Sequence, residues 1–261
     1  MLVLLPPSEG KADGLRGRPL ALEALSLPAL TAARARVVDE LVELCAGDPV
    51  KAREVLGLSA GQSGEVARNA ALRTAPTAPA GAVYTGVLYD ALDLASLSPA
   101  ARRRAGKALL VFSGLWGALR VGDRIPAYRC SGGVKLPGLG PLARHWRAPL
   151  AEALPEVAGD GPVLDLRSAA YAALWRPVGE LAGRTLGVRV LQERLVNGVP
   201  KRSVVSHFNK ATKGRLVRDL LTAGPLPRRA DRVAGALRDL GYRVETDAAA
   251  PGRLDVVVTE V

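Results

Sequence analysis

Residues 108–129, ALLVFSGLWGALRVGDRIPAYR, constrain the fold more than any other stretch. The run from Ala108 to Phe112 is apolar without a break and stops at Ser113-Gly114. An apolar run of about five residues closed by such a breaker reads as an interior strand. The chain turns again at Gly117 and leaves through Arg120, Arg124, Tyr128 and Arg129. A basic loop is therefore expected at the carboxyl edge of a sheet, the edge at which open α/β sheets bind ligands.

Other runs supply partners for that strand. Residues 1–5 read as a strand that hands the chain to the polar loop PPSEGKADG, and VLDLRS at 163–168 reads as a second buried strand. Between them the pattern is helical from Leu27 to Leu72, with Thr31 placed to cap the first helix and Gly47-Asp48-Pro49 separating it from the next. The outline helix, Gly-bearing turn, helix suggests a helix-hairpin-helix, an element that can hold DNA phosphates through backbone N–H groups. TAPTAPAG at 74–81 reads as a connecting loop, and Ser98-Pro99 as the start of a helix. Residues 187–196 and 202–208 read as strands joined by a hairpin at Asn197-Gly198-Val199-Pro200. A helix at 229–240 and two strands at 242–246 and 254–259 finish the chain. Crossovers together with a hairpin predict an α/β (mixed α+β) fold: one domain over 1–261, a mixed sheet flanked by helices, and a helical hairpin at about 27–73.

Composition narrows the class. No apolar run approaches the roughly 18 residues of a membrane span, and MLVLLPPSEGK lacks the basic start and cleavage site of a signal peptide. Two cysteines, Cys45 and Cys130, do not make a secreted disulfide framework, so a reducing cytoplasm is expected. With only His145 and His207 there is no metal-ligand spacing, and no metal or cofactor is expected. Direct thiol or iron chemistry is disfavoured on the same counts.

The net charge of +11 is concentrated. Residues 99–147 hold ten Lys/Arg against the single acid Asp123, and residues 201–218 hold six with no acid. Such clustering fits a surface for a polyanion or a phosphorylated ligand. Lys210 and Lys213, three apart, share a helix face, and Gly214 beside them leaves room for a close approach.

In order along the chain, MLVLLPPSEGK, YTGVLYDAL (84–92), LVFSGLWGALRVGDRIPAYR (110–129), Trp146, VLDLRSAAY (163–171) and VVSHFNKATKGRLVRDLL (204–221) resemble the YaaA family of peroxide stress proteins. The resemblance spans nearly the whole chain. It implies a YaaA-like mixed α/β fold, a cytoplasmic location, a positively charged cleft with a helix-hairpin-helix element, DNA binding, and resistance to peroxide by protecting DNA and limiting free iron. It implies no particular reaction. The PPSEGK opening departs from the SPAKT-like opening of other members and shifts the basic residue by a position or two.

Two functions follow. The first is a DNA-binding protein without sequence specificity, its phosphate-binding residues being Ser8, Lys11, Ser113, Gly114, Arg120, Tyr128, Arg129, Lys210, Lys213 and Arg215. The second is an enzyme acting on a nucleotide, nucleobase or damaged nucleic acid in the same cleft, with Ser113, Lys210 or Lys213 as candidate catalytic groups. The partner is accordingly DNA or a phosphorylated, nucleotide-like ligand. GxSxG, Walker A and GxGxxG motifs are absent, so the familiar hydrolase, NTPase and dehydrogenase readings lose support.

Overall fold

A computed structural model describes residues 1–196, 199–204 and 206–259 of the chain. Strand β1 (Leu2–Leu5), buried along its whole length, is followed by α1 (Thr31–Ala46), α2 (Pro49–Leu56) and α3 (Gly64–Ala70). Thr31 is not the cap of α1. A short 3-10 turn, Pro28–Leu30, runs straight into the helix, and Leu30 occupies the cap position with no side-chain hydrogen bond. Asp48 does cap α2, its carboxylate accepting from the Val50 amide at 2.8 Å, and Gly57 ends that helix in the left-handed region.

The connector at 74–81 is more ordered than a loop. It forms β2 (Thr77–Pro79), antiparallel to β5 (Arg124–Pro126), and enters α4 (Ala80–Val83) without a gap. Next come α5 (Val87–Leu92) and α6 (Pro99–Ala108), the latter capped as expected by Ser98, which accepts from the Ala101 amide. Then β3 (Leu109–Ser113), buried throughout, pairs in parallel with β1.

The basic loop expected after β3 is instead a buried hairpin. The chain reverses between Ser113 and Gly117 into β4 (Gly117–Arg120), antiparallel to β3 at the sheet edge. The reversal is held by Ser113, whose Oγ accepts the amides of Leu115 and Trp116, both at 3.1 Å. Gly117 has φ +71°, and a Cβ there would lie 2.7 Å from the Trp146 ring. Leu115 and Trp116 are fully buried, so the hydrophobic effect folds this segment back onto the core.

A small hairpin, β6 (Lys135–Leu136) with β7 (Gly140–Pro141), leads into α7 (Leu142–Ala158). Strand β8 (Val163–Asp165), α8 (Ala169–Ala172) and α9 (Gly179–Gly183) precede β9 (Thr185–Val196), which pairs antiparallel with β10 (Val199–Ser203). The turn residues Asn197 and Gly198 lie outside the described residues. The second strand of this hairpin stops at Ser203 rather than 208, because α10 (Ser206–Ala223) has begun. A helix α11 (Val233–Asp239) and the antiparallel pair β11 (Arg243–Thr246) and β12 (Arg253–Thr259) complete the chain.

Among the described residues the main sheet is mixed, in the order β11-β12-β9-β8-β1-β3-β4, with β10 also on β9. Strands β12, β9, β8, β1 and β3 are mutually parallel, and their neighbours β11, β10 and β4 are antiparallel. The order fixes where a ligand fits. After β1 the chain crosses to β3 on one side, and after β8 it crosses to β9 on the other. Connections therefore diverge between the adjacent carboxyl ends of β1 and β8, which makes that point the crevice of the sheet.

Candidate functional site

A cleft of about 610 Å³ lies at that crevice. One wall is the segment after β1, from Pro6 to Gly10, and another is Leu166, Ser168 and Tyr171 after β8. The third comes from Thr85 to Tyr89 at the start of α5, and the fourth from Asn209, Lys210 and Lys213 on α10, with Val204 at the rim. The volume is in the range of ligand pockets, roughly 300–1,000 Å³.

Each wall is fixed by its own hydrogen bonds. Ser8 Oγ donates to Gly10 O at 2.5 Å and accepts from the Thr85 amide at 3.1 Å, tying the first loop to the third wall. Tyr89 donates its hydroxyl to Pro6 O at 2.8 Å. Glu9 accepts from Tyr171 at 3.2 Å and pairs with Arg129 at 3.3 Å, so this cleft carboxylate is met by a cation. Lys213 donates to Leu166 O at 3.0 Å; burial lowers its pKa, while Asp165 acts in the opposite sense. The α10 wall stands close because of Gly214, where a Cβ would fall 2.2 Å from Leu88 O. The close approach expected at Gly214 is thus made by α5.

Beneath the Ser8–Gly10 loop lies a chain of hydroxyls. Ser113 Oγ and the Tyr128 hydroxyl are 2.6 Å apart, and the Tyr128 and Tyr84 hydroxyls 2.8 Å. Because Ser113 Oγ already accepts two amides, its own proton goes to Tyr128, and the proton of Tyr128 goes to Tyr84. Burial raises both phenols well above the ordinary range, so both stay neutral. Lys11, half-buried, sits over the Tyr128 ring with Nζ 4.3 Å from its centroid and donates to Ser8 O at 2.8 Å and Glu9 O at 3.2 Å. Burial lowers its pKa to about 8, against the opposing pull of Glu9.

The structure separates the residues proposed from sequence into three groups. Ser8, Lys210 and Lys213 line the cleft, while Lys11 and Arg129 hold its first loop from behind. Ser113, Gly114 and Tyr128 are interior: Ser113 is fully buried, and Gly114 packs under the Cys130 and Ser131 carbonyls with its own carbonyl accepting from Trp146 Nε1 at 2.7 Å. Arg120 and Arg215 lie elsewhere. Arg120 is on the edge strand β4, donating to Lys107 O, and Arg215 is exposed beside Tyr242. Among the described residues lining the cleft, none comes from 99–147.

Five of the ten cations in that basic segment donate to backbone carbonyls instead. Arg102 donates to Ala95 O, Arg104 to Leu221 O and Arg124 to Thr77 O. Sequence reasoning missed Asn209, Tyr171 and the pairing of Glu9 with Arg129. Asn209 directly precedes Lys210, so its position was visible, but which helix face meets the crevice depends on strand order. Among the described residues no group of three or more His, Cys, Asp or Glu is gathered as metal ligands.

Fold and site together define a mixed α/β protein with a ligand-sized, lysine-bearing cleft at the divergence point of the parallel strands of a mixed sheet. The family described as peroxide stress protein YaaA matches residues 1–248, and the chain belongs to that family. A UPF0246 protein of Streptomyces coelicolor is 67% identical, with 100% of both chains covered. A UPF0246 protein of Corynebacterium efficiens is 41% identical over 99% of this chain and 100% of its own. An uncharacterized protein of Campylobacter jejuni is 30% identical over 56% of this chain and 54% of its own. No helix among the described residues is long and apolar enough to cross a membrane.

Proposed function

We propose that this protein binds DNA in the cytoplasm under peroxide stress, without sequence specificity, and takes one nucleotide unit of a strand into the β1–β8 cleft. The observation that carries this reading is the facing of Lys210 and Lys213 against a wall of Pro6, Pro7, Leu88 and Tyr89. Two ammonium groups suit a phosphate, and an apolar wall with an aromatic ring suits a base. A cleft of this size fits a nucleotide and not a duplex, so the substrate strand is single or locally opened. An effect on free iron would be indirect, through the nucleic acid protected.

Turnover of the bound unit is the second reading. It is favoured by Lys213, a cleft lysine whose pKa is lowered by burial and which is thereby closer to a reactive free amine.

Fluorescence anisotropy with labelled oligonucleotides tests the proposal. Single-stranded DNA should bind more tightly than duplex, with affinity falling steeply with salt. Lys210→Ala with Lys213→Ala should cost about tenfold and lower the salt slope by about 0.7 for each phosphate no longer neutralised. Binding that ignores salt, or a double variant that binds like the parent, would sink it.

A further inference from the structure

The Asn209 side chain carries an observation that phosphate binding leaves unused. Its Oδ1 is buried, has no hydrogen-bond partner among the described residues, and belongs to a residue that lines the cleft. Buried polar atoms are almost always satisfied, and an orphan in a ligand-sized cleft points to a partner that arrives with the ligand. An amide oxygen accepts only, so the ligand must present a donor there. Asn209 also lies one helical turn from Lys213 on the same face of α10, and both line the cleft together with Lys210, so donor and anion belong to one molecule.

We infer that the cleft discriminates among nucleotides by the amino group of the base, with Asn209 pairing the exocyclic amine and adjacent ring nitrogen of adenine while Lys210 and Lys213 hold its phosphate. An asparagine amide matches that edge of adenine with two hydrogen bonds, one accepted and one donated. Inosine replaces the amine with a carbonyl, which sets an acceptor against the Asn209 oxygen. The walls around Asn209 suit the base: Leu88 and Leu166 are apolar, and Tyr89 is held in place by its bond to Pro6 O.

This inference rests on the nucleotide reading of the cleft, and the two can fail separately. Adenosine and inosine 5′-monophosphates are titrated calorimetrically into the full chain, its Asn209→Leu variant and its Lys210→Ala variant, each checked for folding by circular dichroism. The expected result is a preference for the adenine nucleotide of about tenfold in the parent, abolished in Asn209→Leu. Lys210→Ala should weaken both nucleotides alike and keep the preference. Equal binding of the two by the parent, or a preference that survives Asn209→Leu, overturns the discrimination while leaving nucleotide binding standing. No binding of either nucleotide overturns both.

Discussion

At the scale of single residues, Ser113 shows how a serine suited to chemistry on paper becomes a structural hub. Its Oγ accepts two amides and donates to Tyr128 in a fully buried position. Ser113→Ala strands those groups, and each buried polar group left unsatisfied costs about 1–3 kcal/mol. Urea unfolding should report a loss of about 2–4 kcal/mol, with oligonucleotide affinity of the remaining folded protein unchanged. Lys11 makes a prediction in pH. Its folded-state pKa is lowered from 10.5 to about 8, so between these values the unfolded chain holds a proton that the folded protein has released. Stability from this residue therefore rises with pH across the window from about 8 to 10.5 and is lowest below it. Unfolding midpoints of the parent, measured relative to Lys11→Met, should climb through that window; a flat difference would contradict the assignment.

At the scale of elements, the cleft depends on how closely α10 lies against α5. Gly214→Ala would place a methyl 2.2 Å from Leu88 O and 2.8 Å from the Ala91 side chain. Overpacking of this kind costs about 1–3 kcal/mol, and relief requires α10 to move away from the wall it faces. Thermal unfolding should therefore fall by several degrees, and affinity for a strand should fall as well, since Lys210 and Lys213 move with the helix. Both effects together distinguish a spacing role from simple destabilisation. The same scale explains what the sequence could and could not reveal. The buried runs at Leu2–Leu5 and Leu109–Ser113, and the Ser98-Pro99 helix start, were legible because each depends on local pattern alone. The fate of SGLWG was not. Its glycines and basic flank look like a surface loop, yet Leu115 and Trp116 are buried, with Trp116 edge-on to Tyr128 and Gly117 against Trp146 of α7, an arrangement that no local pattern encodes. Strand order was equally hidden, and with it the fact that the helix bearing Asn209 borders the crevice.

At the scale of the whole molecule, the two thiols are withdrawn from redox chemistry by the core. Cys45 and Cys130 are both buried; burial raises the first thiol's pKa and pushes the second up to about 12. The cationic flank of Cys130 does not compensate, since thiolate formation must also overcome desolvation. A thiol reagent should label neither cysteine in the native protein on the time scale of minutes and both after urea is added. Rapid native labelling would show that the core opens far more readily than its packing implies.

The arginines that donate to carbonyls carry a consequence for any survey of the surface. Arg104 clasps the Leu221 carbonyl near the end of α10, Arg218 those of Leu92 and Asp93 at the end of α5, Arg238 that of Val244, and Arg34 those of Trp116 and Ala118 in the interior. These guanidinium groups work as fasteners, and a planar fork of donors is not replaced by a lysine. Scanning the basic residues for a nucleic-acid footprint would therefore mark fasteners and true phosphate ligands alike. Only variants whose melting temperature is unchanged can be drawn on the map.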